Sequence, residues 1–239
     1  MIFRNTFQVN SHSCDYNHIA RPSAVMTYLQ ECANLHLETY GPRDAEMRAD
    51  GHFFVLSRIG IAIHSPIRAY ETLTAETWAA PSHGYSFFRC HRLLRGDEVI
   101  CEATSVWALI GMADKRLQRT DTLKLNFDTE PLSAFGVPDR IRLNRDLLKK
   151  AGEHVVGYRD TDLNMHMNNT VYADMLCSHL DMQGKYVSHI SINYFHEAPL
   201  GTPLYIYKQP TEENVHLFRT LRADGETNVE AAITLSLIE

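Results

Sequence analysis

The sequence predicts an α+β protein made of two repeats in one chain, each a helix lying on an antiparallel sheet. Three observations carry that expectation. A long helical signal between Pro22 and Gly41-Pro42 is followed by a series of strand-like segments. The same order, strand then helix then strands, returns beyond residue 150. The chain has 239 residues, 44% of them hydrophobic, enough for a sizeable core without disulfides or metal.

Taken in order, Phe3, Asn5, Phe7 and Val9 alternate with Arg4, Thr6 and Gln8, the period-2 pattern of a half-buried strand. Pro22 opens and Gly41 closes a helix of about five turns, Pro inside the start and Gly past the end being the usual asymmetry. Val25, Leu29, Cys32 or Ala33, and His36 give it one apolar stripe. Phe53 to Ser65, Thr72 to Ala80, Tyr85 to Leu94 and Val99 to Ile110 are rich in aromatic and β-branched residues and predict strands. Pro66, Pro81-Ser82-His83-Gly84 and Gly96-Asp97 break them. These elements make a first repeat over 1–110. Residues 111–150, with Pro131, Gly136 and Pro138, read as a connector holding a short helix from Asn144 to Ala151. The second repeat, 151–239, is expected to hold a strand from His154 to Arg159 and a helix from about Asn169 to Leu180. Strands follow at Tyr186 to Phe195, Pro203 to Lys208, Val215 to Ala223 and Val229 to Ile238.

Local matches support a duplication. Asp15-Tyr16-Asn17 precedes the first helix as Asp162-Leu163-Asn164 precedes the second, an offset of 147. Ile61-Ala62-Ile63 parallels Ile192-Asn193-Tyr194 at an offset of 131. Their shared order points to an internal repeat. Two such units can join sheet edges and cover each other's apolar faces.

Composition narrows the function. A net charge of −6 argues against a general nucleic-acid binder. Residues 111–150 nevertheless carry nine Lys and Arg against six Asp and Glu. That stretch reads either as a solvated linker surface or as a docking area for an acidic partner. The five cysteines, Cys14, Cys32, Cys90, Cys101 and Cys177, are odd in number and form no C-x-x-C, which fits a reducing compartment. The N-terminal residues lack the apolar core of a signal peptide, and no apolar run is long enough to span a membrane. A cytoplasmic protein with no membrane or nucleic-acid partner is expected, monomeric or homodimeric.

The chemistry concentrates in Asp160-Thr161-Asp162-Leu163-Asn164-Met165-His166-Met167-Asn168-Asn169. Asp162, Asn164 and His166 alternate with Leu163, Met165 and Met167, so an extended chain would present the polar three on one face. Fully extended, Asp162 and His166 would lie roughly 13 Å apart. All three can meet one reacting atom only if the segment bends, so two are expected at the substrate and one orienting them. The competing reading is an Asx-rich turn with a satisfied histidine. Asn168 or Asn169 suits a helix N-cap, and the amides behind it could hold an oxyanion; equally, they could simply cap a core helix. Glu197 ends a strand just before Pro199 and Gly201. In the first repeat Pro66 stands at the position of Glu197 and Ile19 at that of His166, which confines the expected site to the second repeat. His12, His18, His36 and His154 have no partner spacing and are read as structural. No H-E-x-x-H or similar spacing occurs, and neither metal nor cofactor is expected.

The run from Tyr158 to Tyr172, together with Ile192-Asn193-Tyr194-Phe195-His196-Glu197, resembles the signature of the acyl-acyl carrier protein thioesterases. Leu29-Gln30-Glu31-Cys32-Ala33, Thr77-Trp78, Arg92 through Gly96 and Ser105 through Ile110 fit as well, so the resemblance covers nearly the whole chain. It implies a tandem, or double, hotdog fold. It also implies hydrolysis of a fatty acyl chain from the phosphopantetheine of acyl carrier protein, with the first repeat housing the chain. Carried over residue by residue, the functional positions are Asp162, Asn164, His166 and Glu197. Many members of the family have Cys directly after the strand Glu; here it is Ala198, and Cys177 falls well down a helix. Water is then the expected nucleophile and Glu197 its general base. An acidic carrier protein would make Arg116, Arg119 and Arg142 candidate docking residues. An acyl-CoA thioesterase of the hotdog fold and a non-catalytic acyl-carrier binding module are the alternatives.

Overall fold

Pro22 and Gly41 do bound one helix, and its apolar stripe does face a sheet. The computed structural model describes residues 1–211 and 214–238. In chain order these form β1 (Phe3–Gln8), α1 (Pro22–Tyr40), α2 (Asp44–Ala49), β2 (His52–Ile63), β3 (Thr72–His83), β4 (Ser86–Arg95) and β5 (Glu98–Gly111). There follow β6 (Leu117–Gln118), β7 (Lys149–Val155), α3 (Val171–Cys177), β8 (Lys185–Tyr194), β9 (Pro203–Gln209), β10 (Val215–Arg222) and β11 (Thr227–Leu237).

The chain divides into two compact units whose boundaries interleave. One comprises Met1–Val9, Thr27–Ile61 and Tyr70–Pro138; the other comprises Asn10–Met26, Ala62–Ala69 and the chain from Asp139 on. The connector of 111–150 is thus shared, and two loops of the first repeat belong to the second unit.

In the first unit the strand order is β1-β3-β4-β5-β2, with β6 added to β5. Leu29, Cys32, Ala33 and His36 of α1 are buried at i, i+3, i+4, i+7 spacing. Cys32 Sγ lies 3.4 Å from the Ala75 carbonyl on β3, and the His36 ring stacks on Phe3 of β1. Beneath the helix the interior is polar in one place. Arg89 Nη1 donates to His36 Nδ1 (3.1 Å) and lies 3.4 Å from Thr77 Oγ1, and His91 Nε2 lies 3.1 Å from Ser105 Oγ. Burial, reinforced by the Arg89 charge, pushes His36 down to about 4 and His91 down to about 3, so both are neutral.

In the second unit the order is β8-β11-β10-β9-β7, antiparallel at every step. Here α3 buries Tyr172, Ala173, Met175, Leu176 and Cys177. Asp174 of α3 caps the first turn of α1, accepting from Ser23 N (3.0 Å) and Ser23 Oγ (2.5 Å).

Four local expectations are corrected. Asn144 does start a turn, its side chain accepting from Asp146 N, but only the single 3₁₀ turn Arg145–Leu147 forms, not a helix to Ala151. That turn buries nothing, and the ladder to β9 captures the chain from Lys149. The strand expected over His154 to Arg159 therefore lies at Lys149–Val155, and Tyr158–Asp160 is a 3₁₀ turn. As the last strand of its sheet, β7 carries charge on both faces and gives little periodic signal. The second helix spans Val171–Cys177 rather than Asn169 to Leu180. Finally, α2 went unforeseen; Glu46 closes its start by accepting from Arg43 N (2.9 Å).

Candidate active site

The run Asp162 to His166 is a closed turn and not an extended face. Asp162 Oδ1 accepts from Asn164 N (2.8 Å) and His166 N (3.4 Å). Asp162 N donates to the His166 carbonyl (2.9 Å), and Met165 N to the Asp162 carbonyl (3.0 Å). Closing so tight a ring places Met165 at φ +62°, a left-handed conformation uncommon outside Gly and Asn. The Asp162 carboxylate is therefore occupied with backbone amides, and Asn164 stands exposed at the tip.

Met165 and Met167 zip onto the segment just past β8, which carries Glu197. Met167 N donates to the Ala198 carbonyl (2.8 Å) and Leu200 N to the Met165 carbonyl (3.0 Å), making a bridge of His166 with Pro199. This places His166 Nδ1 3.1 Å from Glu197 Oε2, with the two side chains 31% and 65% exposed. An ion pair that open contributes at most about 1 kcal/mol to stability, so folding gives little reason for it. A carboxylate only accepts, so in this contact Nδ1 is the ring nitrogen that carries a proton.

Upstream, His154 Nε2 lies 2.8 Å from Asp160 Oδ2, which also takes Gly157 N (2.8 Å). His154 thus has a structural partner that spacing did not suggest. Downstream, Asn168 N donates to the Asp160 carbonyl (2.7 Å), and Asn168 Oδ1 accepts from Thr170 N and Thr170 Oγ1 (both 3.0 Å). Val171 N bonds the Asn168 carbonyl, while the Asn169 amide has no hydrogen-bond acceptor among the described residues. Tyr194 Oη donates to the Asn169 carbonyl (2.8 Å) and fixes that peptide.

The first-repeat counterpart is built identically and lies in the same unit. Asp15 Oδ1 accepts from Asn17 N (2.8 Å) and Ile19 N (3.2 Å), Asp15 N donates to the Ile19 carbonyl (2.8 Å), and His18 takes φ +61°. Ala20 N donates to the Ile67 carbonyl (2.8 Å), and Ile19 bridges Arg68. The 147 and 131 offsets read from the sequence therefore hold for the bonds that close the turn and for the bridge beside it. In this copy Ile19 replaces His166 and Pro66 replaces Glu197; carried on, the first offset puts Pro22, which has no N–H, in place of Asn169. The Asn17 amide is used structurally, donating to the Met182 carbonyl (2.7 Å) and accepting from Gly184 N (3.1 Å).

Comparison with known proteins agrees with this architecture. Residues 1–122 match the acyl-ACP thioesterase N-terminal domain, and residues 146–236 match the acyl-ACP thioesterase C-terminal domain. The chain belongs to the acyl-ACP thioesterase family. It is 25% identical over 189 residues to the chloroplastic acyl-[acyl-carrier-protein] hydrolase FATB2 of Cuphea viscosissima, which covers 72% of this chain and 45% of that protein. The chain thus spans about half the length of the curated relatives it matches. In fold it is similar to an acyl-ACP thioesterase from Bacteroides thetaiotaomicron, with TM-score 0.90 and 20% identity over 98% of each chain. It is also similar to the 12:0-ACP thioesterase from Umbellularia californica, with TM-score 0.84 and 18% identity over 99% of this chain and 97% of that one. These likenesses establish the tandem hotdog, α+β fold.

For a member of this family, the remaining candidates fall as follows. Ala198 is fully buried, its backbone carbonyl engaged by Met167 N. Cys177 is buried in α3, and desolvation pushes its thiol up to about 12, so it is no nucleophile at neutral pH. Arg116 and Arg119 are exposed in the first unit, Arg119 Nε 3.3 Å from Asp121 Oδ2; Arg142 is exposed in the second. Among the described residues no helix is long and apolar enough to cross a membrane. Sequence reasoning missed Tyr172, Asn228 and Arg222. Arg222 Nη1 donates to the Glu197 carbonyl (3.3 Å). Their available signal was weak: one Asn among β-branched neighbours in Thr227-Asn228-Val229.

Proposed function

We propose that the protein hydrolyses the thioester of a fatty acyl chain carried on the phosphopantetheine of acyl carrier protein, with Glu197 as general base toward water. The observation that carries this reading is the 3.1 Å contact of His166 Nδ1 with Glu197 Oε2 on a turn whose duplicate lacks both groups. His166 holds one carboxylate oxygen, leaving the other to take a proton from water. The hydroxide so formed attacks the thioester carbon. The Asn169 N–H, which has no acceptor among the described residues and lies just before Thr170, the N-cap of α3, receives the oxyanion, and Asn164 orients the water or the carbonyl. Asp162 sets the turn that presents them. The tetrahedral intermediate collapses by expelling the pantetheine thiolate, which takes the proton held by Glu197. A thiolate leaves readily, its thiol having a pKa near 8.5, so one base and one oxyanion site suffice.

The test is steady-state hydrolysis of a panel of acyl-carrier substrates, short to long, beside the matched acyl-CoA esters. Turnover with carrier substrates, reduced on the order of 100- to 10,000-fold in Glu197→Gln, is the expected result. Near-normal turnover in that variant sinks the scheme. We assign the first repeat to the acyl chain and the exposed Arg116, Arg119 and Arg142 to the acidic carrier. Reversing those three charges should raise KM for carrier substrates at low salt, leave acyl-CoA unaffected, and lose its effect as salt is added. A cytoplasmic location belongs to the same proposal and rests on the odd number of cysteines and their lack of a C-x-x-C spacing.

A further inference from the structure

The register of β10 with β11 slips between Thr220 and Leu221: Thr220 pairs with Val229, but Leu221 pairs with Thr227. Asn228 is the extra residue of this bulge, outside the β10 ladder, and bulges beside functional sites commonly re-aim a side chain. Asn228 is fully buried, and its carbonyl and both ends of its side-chain amide are hydrogen-bonded. Its carbonyl accepts from Phe195 N (2.9 Å) and His196 N (3.3 Å). Its Nδ2 donates to the His196 carbonyl (2.5 Å) and to Tyr172 Oη (3.0 Å). Its Oδ1 accepts from Thr220 Oγ1 (2.9 Å), which itself accepts from Val229 N (3.1 Å). The amide cannot be flipped, since the His196 carbonyl only accepts and a flip would set Oδ1 against it.

Three of these bonds fall on the backbone of the two residues just before Glu197. We propose that Asn228 is a positioning residue for the hydrolytic reaction. From the buried bulge it locks the Phe195-His196 turn so that the Glu197 carboxylate meets His166 Nδ1, with Thr220 and Tyr172 holding its amide in place. This inference rests on the general-base reading of Glu197. Tyr172, 2% exposed, accepts from Asn228, and its own hydroxyl proton has no acceptor among the described residues. Burial first, and the nearby charges of Asp162 and Glu197 after it, keep that hydroxyl protonated, its pKa pushed up to about 12 although the Asn228 bond works against them. The protonated hydroxyl still offers its lone pairs to Asn228 Nδ2, so the bond that holds the amide persists at neutral pH.

The test is a double-mutant cycle on acyl-carrier hydrolysis. Asn228→Ala in the wild-type background should lower kcat about 10- to 100-fold with KM within about twofold, as expected when a reacting group is misplaced by an ångström or less. In the Glu197→Gln background the same change should cost less than about threefold, because the group it positions is already gone. Tyr172→Phe, which keeps the bond to the His196 carbonyl and tolerates the fold better, should lower kcat about 3- to 10-fold and be likewise silent beside Glu197→Gln. If Asn228→Ala fails to fold, the Tyr172→Phe cycle decides alone. Equal cost in both backgrounds, or an unchanged kcat in a folded variant, overturns the positioning role while leaving an impaired Glu197→Gln intact. Normal turnover of Glu197→Gln overturns the general-base reading itself, and this inference with it.

Discussion

Two turns of the second unit, Asp15 to Ile19 and Asp162 to His166, share their closing hydrogen bonds and even the left-handed residue at the fourth position, yet only the second ends in a histidine set against a glutamate. The comparison separates scaffold from chemistry inside one molecule. The Asp and Asn occur in both copies, so their presence follows from the turn: a short carboxylate satisfies two amides that the tight loop would strand. What differs is the side chains at two positions beside the bridge. Ile19 and Pro66 cannot exchange a proton; His166 and Glu197 can. The third difference, Pro22 against Asn169, removes from the first copy an N–H that has no acceptor among the described residues in the second. Our proposed assignment of base, its partner and oxyanion donor thus falls on the positions where the copies diverge.

The largest effect should come from converting one turn into the other. His166→Ile combined with Glu197→Gln removes both bridging groups while keeping the turn. Carrier-substrate turnover is expected to fall by at least about a thousandfold, within the range of losing a base together with its partner. Melting temperature should move by no more than about 3 °C, because an exposed pair contributes little. The reciprocal Ile19→His with Pro66→Glu is expected to gain no measurable turnover, since Pro22 still offers no amide. A functional first turn made by those two changes would show that the oxyanion donor lies elsewhere.

A smaller and more selective effect distinguishes the two aspartates. Asp15→Ala and Asp162→Ala each strip two backbone amides of their acceptor. Each should cost about 0.5–2 kcal/mol in denaturant unfolding, the scale of losing a cap. Only Asp162→Ala should also lower kcat, on the order of tenfold, by loosening the turn that presents His166. Equal losses of activity from both would mean that Asp162 acts through the fold alone.

Much of this was legible because it follows from local rules. Pro22 and Gly41 bound α1, alternation marked β1, and the two offsets were visible as Asp-x-Asn and as apolar triplets. The run Asp162 to His166 was visible as an alternation, but its geometry was not. Period 2 reads as an extended face, and nothing local announces that the Asp162 carboxylate will turn back onto Asn164 N and His166 N. The expected helix after Asn144 failed because a good cap without an apolar stripe gives one turn only. Tyr172 and Asn228 were illegible for a different reason. Asn228 matters through a register slip between strands that are paired across a turn, and Tyr172 through a contact 56 residues away in sequence. No window along the chain contains either fact.

The smallest expected effect is none at all, and it tests whether the chemistry needs sulfur. Glu197 points to solvent, whereas the next residue, Ala198, is fully buried, as adjacent residues of an extended segment should be. A cysteine placed there would face the interior and be desolvated like Cys177, whose thiol is held up near 12, or Cys32, pushed up to about 11. At pH 7 such groups are thiols and not thiolates, since the pH lies far below their raised pKa values. Alkylating the folded protein with iodoacetamide should therefore leave turnover within about 20% of the untreated value. Ala198→Cys should stay within about threefold of wild type and resist the same reagent, reflecting only the cost of fitting a sulfur into a packed site. Rapid inactivation of either protein, with one modified cysteine found by mass spectrometry, would place a reactive thiol at the site and move the nucleophile from water to sulfur.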